Sequence, residues 1–170
     1  MMPIHPERMT VKRDEGFVVF LLGARVNRWW TIPVVWGVAM AMGRMLRELA
    51  ADPDIGLLAS ESYSRGRNQL VVQYWRSHEH LQRYAHAKER QHVPAWKHWA
   101  KRWAEGAVGI WHETYLVSPA TYECIYQHMP PTALGRVGPL VPAAGPLRTA
   151  TGRLGHTARA RAEAEVVDVS

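Results

Sequence analysis

The sequence predicts an α+β fold of element order β-α-β-β-α-β, a ferredoxin-like unit, followed by an extended C-terminal tail. Three observations predict it. The unbroken apolar run Phe17 to Val26 reads as a strand covered on both faces. Two β-rich runs, Ile55 to Tyr63 and Gln69 to Trp75, are joined by the turn-forming segment 64–68, as in an antiparallel hairpin. Helically periodic stretches stand before and after that hairpin, and the second leads to a last strand, Ala107 to Val117.

Each element follows from local chemistry. Residues 1–15 are polar, contain Pro3 and Pro6 and lack periodicity, so they read as a loose arm ended by Gly16. Thr31 can cap the first helix, with Pro33 in its opening turn and Val35, Val38, Met42, Met45, Leu46 and Leu49 recurring at helical spacing until Asp52-Pro53-Asp54 stops it. A second helical stretch runs from Ser77 to about Ala104, and Pro94 breaks it near Arg90 to Val93. The ferredoxin-like domain therefore spans residues 16–130, with its crossovers right-handed. Residues 131–170 form a Pro/Gly-rich extended tail whose end, from His156, frays.

With 170 residues and 47% hydrophobic content, the chain can bury one sizeable core, and disorder is excluded. A lone cysteine, Cys124, forms no internal disulfide and fits a reducing compartment, so the expected location is cytoplasmic. The run at Phe17 is not read as a signal peptide, because the residues before it include Glu7, Asp14 and Glu15. Ile32 to Met42 is far below the ~20 residues that cross a bilayer, so no membrane partner is expected. The net charge of +6 is spread along the chain without a dense basic run and is read as solvated surface, not a nucleic-acid footprint.

His92, Trp96, Trp99 and Trp103 fall on one helical face, a stripe that suits either core packing or the wall of a pocket. Strand alternation puts Val108, Ile110, His112 and Thr114 on one face of the last strand, where His112 is either a buried structural histidine or a contact to a ligand. Arg25 and Asn27, at the end of the first strand, can hold an oxygenated group at the mouth of a pocket or merely cap the sheet. Tyr122 and Tyr126, four apart, form a lid or anchor the tail. Nucleotide-binding glycine loops, HExxH, GxSxG and CxxC are absent from the sequence. His78 and His80 are wrongly spaced for a shared helical metal face, and no metal site is expected.

The segments GARVNRWW, GLLASESY, YWRS, HVPAW, GIWHETY and YECIYQHMPPTALG together resemble a monooxygenase-like family, known from a fungal fumagillin cluster and as a bacterial domain of unknown function. That family is similar in turn to the antibiotic-biosynthesis monooxygenases of the dimeric α/β-barrel superfamily. The resemblance covers about Phe17 to Pro142. The usual Asn-Met-Pro and Gly-Leu-Gly of the family stand here as His128-Met-Pro and Ala133-Leu-Gly.

The resemblance implies a homodimer and a monooxygenase that needs no cofactor and acts on an apolar, phenolic or polyketide-like small molecule in secondary metabolism. His92 and His112 would be the bases, Trp75 and Trp96 the cavity walls, and Arg25 or Asn27 the holders of the substrate oxygen, with Tyr126 as a further candidate contact to the substrate. Two alternatives stand beside it: a haem enzyme like the aldoxime dehydratases, with His92 or His112 on iron, and a non-catalytic ligand-binding domain.

Overall fold

In a computed structural model of the chain, residues 2–28, 52–91, 106–119 and 121–155 are described. The helix expected over residues 31–49, the stretch around Pro94 and the frayed end from His156 lie outside them. The described elements are β1 (Met9–Val11), β2 (Phe17–Val26), β3 (Leu57–Arg65), β4 (Asn68–Trp75), α1 (His78–Gln91), β5 (Val108–Val117) and β6 (Leu140–Pro142). They fall into two compact units, one of residues 18–115 and one of the chain up to residue 17 with the chain from residue 116.

The unit of residues 18–115 is built on an antiparallel sheet of order β3-β4-β2-β5, a mixed α+β arrangement compatible with the ferredoxin-like order. β3 and β4 pair from Leu57↔Trp75 to Arg65↔Asn68 and leave Gly66 and Arg67 as a two-residue loop. Gly66 takes a φ of +57° at the first loop position, which a residue with a Cβ resists and which matches the twist of the strands. β4 pairs in turn with β2, from Val18↔Trp75 to Arg25↔Asn68. The start of β5 meets the end of β2, since the Asn27 and Arg28 amides donate to the Ala107 carbonyl at 2.9 and 3.3 Å.

One sheet face carries Val18, Phe20 and Trp75 against Leu81 and Tyr84 of α1. Leu81 and Tyr84 are three apart and share the helix face that must be buried. The YWRS segment sets this packing. Trp75 is fully buried in the cluster, with its ring 5.2 Å from that of Tyr84. The Arg76 guanidinium donates to the Pro53 carbonyl at 3.3 Å, and Ser77 Oγ accepts from the His80 amide at 3.4 Å as the N-cap of α1.

The opposite face carries Val19, Leu21 and Gly23 of β2 and Trp111 of β5. A Cβ on Gly23 would sit 2.1 Å from the Trp111 indole, so the missing side chain lets the ring lie on the strand. β5 is an edge strand and is exposed along most of its length, with Ile110 at 50% and Trp111 at 45%. The sequence expectation of apolar enclosure around His112 meets a physical limit here, because an edge strand has a neighbour on one side only.

In the other unit, β1 and β6 pair antiparallel as Met9↔Pro142, Thr10↔Val141 and Val11↔Leu140. Residues read as a loose arm thus hold a strand whose three side chains are all buried. Three residues are too few to show a period, and their partner is more than a hundred positions away. Tyr126 exchanges two backbone hydrogen bonds with Met9, both 2.8 Å. The tail is pinned by Arg153, nearly buried, whose Nε donates to Glu123 at 2.7 Å and whose Nη1 reaches the Leu147 and Arg148 carbonyls at 3.0 and 3.2 Å. Among the described residues no helix is long and apolar enough to cross a membrane.

Candidate functional site

His112 sits in the middle of β5, and its ring centroid is 5.8 Å from that of Phe20 on the neighbouring strand, with the planes tilted by 38°. Phe20 packs on the cluster of Val18, Trp75 and Leu81, so His112 is on the face covered by α1. Trp111 and Glu113, its neighbours in sequence, necessarily point to the other face. His112 is itself exposed. Among the described residues its imidazole makes no hydrogen bond, whereas Glu113 and Tyr115 of the same segment are bonded to each other. The Tyr115 hydroxyl donates to Glu113, which raises the pKa of the phenol and keeps it protonated.

Trp75 shares the His112 face but lies wholly in the core, where its Nε1–H donates to Gln73 Oε1 at 3.0 Å. Gln73, not singled out from the sequence, is only 3% exposed and directly faces Phe20 in the β2–β4 register. The signal for it was weak: alternation along β4 puts Gln73 on one face with Val71 and Trp75, but also with Gln69, and only burial shows which of the two glutamines is enclosed.

Arg25 falls on the face of Gly23 and Trp111, opposite His112, and donates to Asn68 Oδ1 at 3.3 Å. The side-chain amide of Asn27 donates to the Gly106 carbonyl at 3.1 Å and so ties down the turn that opens β5. The structure therefore brings His112 and Trp75 to one face and leaves Arg25 on the other. Tyr126 belongs to the other unit, where its ring covers Gly135: a Cβ there would lie 3.1 Å from the ring. His92 and Trp96 lie outside the described residues.

The unit that holds Tyr126 has a cavity of about 20 Å³ lined by Thr10, Lys12, Tyr122, Glu123, Leu147 and Arg153. That is room for about one water molecule, not for an organic substrate. Tyr122 donates to the Arg13 carbonyl at 3.1 Å beside it, and burial raises the pKa of its phenol.

Comparison with known proteins agrees with these motifs. The chain is similar to Monooxygenase af470 of Aspergillus fumigatus, 30% identical over 88 residues, which is 49% of this chain and 31% of the relative. It thus spans less than a third of the length of that curated relative. The model of a family described as Monooxygenase af470-like matches residues 17–134, well over half of the chain and all of the sheet that carries His112. The chain belongs to the monooxygenase af470-like family.

Proposed function

We propose that the protein is a cofactor-independent monooxygenase for an apolar phenolic or polyketide-like molecule, with His112 as its base. The family name supports the reaction class. The observation that carries the assignment is His112: an imidazole lying beside Phe20 with no hydrogen bond to any described residue. A neutral imidazole takes a proton from an activated C–H or O–H, and the resulting carbanion or phenolate passes one electron to dioxygen. The two radicals combine into a peroxide. Its O–O bond then breaks with loss of water, so a methylene and one dioxygen become a carbonyl and one water.

The protein works as a homodimer through the sheet face of Trp111. That face presents Tyr63, Trp111 and Tyr115, each about half exposed, around the half-buried Val19, Leu21, Leu70 and Val72. An apolar centre with a polar rim suits a second protein surface.

Oxygen uptake with anthrone is the test. Wild-type protein consumes oxygen and forms the quinone, and His112→Ala lowers the rate by at least about 100-fold. An unchanged rate in a folded His112→Ala protein would sink the reading.

A further inference from the structure

We propose that Gln73 grips an oxygen of the substrate and that Trp75 holds Gln73 in position to do so. This deepens the reading above and rests on it for the reaction, but the binding chemistry follows from three observations of its own. Gln73 is only 3% exposed, between Val71 and Trp75 on its face of β4 and opposite Phe20 and Ser60 on the flanking strands, where a buried carboxamide needs partners for its polar atoms. An indole N–H can only donate, so the atom 3.0 Å from Trp75 Nε1 is the Gln73 oxygen. The orientation of the carboxamide is thereby fixed, and its NH₂ is turned away from Trp75. Among the described residues, no acceptor meets either amide hydrogen.

Register supplies the third observation. Gln73 on β4 is directly opposite Phe20 on β2, and Phe20 is in ring contact with His112 on β5. A donor, an aromatic floor and a base therefore follow one another across three strands on one sheet face. Two strand spacings separate the backbones of the outer two by about 10 Å. The ligand this fits is a flat aromatic molecule lying on Phe20, its acidic position at His112 and a carbonyl or phenolic oxygen directed at Gln73. Trp75 is a positioning residue: it touches the donor, and the donor touches the substrate.

Binding of 2-naphthol and of naphthalene to the full chain, followed by fluorescence, separates this role from a structural one. Gln73→Met keeps the length of the side chain and removes the donor; it is expected to weaken 2-naphthol at least about tenfold and to leave naphthalene unchanged. Trp75→Phe, which frees the carboxamide to turn, gives the same selective loss in smaller measure. Equal effects on both probes, or none on either, would overturn the proposal. Should the variants fail to fold, the carbonyl stretch of anthrone bound to the wild type decides: a shift to lower frequency supports the donor, and an unshifted band refutes it. The outcomes also separate the two readings. Selective loss of 2-naphthol in a protein that consumes no oxygen leaves the Gln73 site standing and removes the oxygenase; anthrone turnover abolished by His112→Ala, with naphthol selectivity intact in Gln73→Met, does the reverse.

Discussion

Among the described residues, His128 and Ala133 are the two non-glycine residues with a left-handed backbone, at φ of +53° and +51°. They are also the two places where this chain departs from the Asn-Met-Pro and Gly-Leu-Gly of the family it resembles. Asparagine and glycine are the residues that tolerate this conformation best, so a backbone requirement accounts for the family pattern there without any chemical role. Restoring the pattern should stabilise the protein. Ala133→Gly is expected to gain about 0.5–1 kcal/mol, and His128→Asn a smaller amount, read as a higher melting temperature. A fall in melting temperature for Ala133→Gly would contradict the backbone argument.

Tyr122 gives a pH dependence with a definite sign. Burial raises its pKa in the folded protein, so the folded state keeps the phenolic proton longer than the unfolded chain does. The stabilisation is complete below pH ~10 and is lost as pH rises through the folded value. Denaturant midpoints from pH 9 to 12 should fall in the wild type and fall less in Tyr122→Phe. Equal slopes would show that the phenol does not titrate with unfolding.

At the scale of elements, β5 is held on β2 by a fit that leaves no slack. The Trp111 indole occupies the space of the side chain that Gly23 lacks. Gly23→Val must therefore lift the indole off the sheet, and overpacking of this kind costs about 1–3 kcal/mol. The expected result is a lower melting temperature with Trp111 fluorescence shifted to the red. An unshifted spectrum would mean that the ring does not lie on β2. The tail shows a comparable dependence on one side chain. Arg153 ties Glu123 to the Leu147 and Arg148 carbonyls, and Arg153→Leu should speed tryptic cleavage at Arg148. Cleavage as slow as in the wild type would show that the tail is held by other contacts.

For the whole molecule, the exposed aromatic face around Trp111 predicts association. Sedimentation at micromolar concentration should show twice the 19.3 kDa of one chain, and Trp111→Glu should return it to the monomer. A wild-type protein that sediments only as a monomer would remove the dimer.

The sequence by itself determined the four strands of the larger sheet and its hairpin. The apolar run predicts β2 as Phe17–Val26, and the other three strands of the sheet lie within two residues of their expected ends. Periodicity and turn chemistry are local, so a single chain displays them. His112 was legible as a candidate for the same reason, since alternation along one strand groups it with Val108 and Ile110, but whether that group faces the helices or the opposite side of the sheet was decided only by its contact with Phe20. What only the tertiary structure decided is which residues meet across strands. β1 was invisible because three residues carry no period and their partner lies beyond position 139. Arg25 and His112, both candidates in sequence, fall on opposite faces because the register between β2 and β5 sets their relation, and neither strand encodes that register alone. Gln73 became a candidate only when the pairing of β4 with β2 put it opposite Phe20, beside a tryptophan whose single donor fixes which way its amide points.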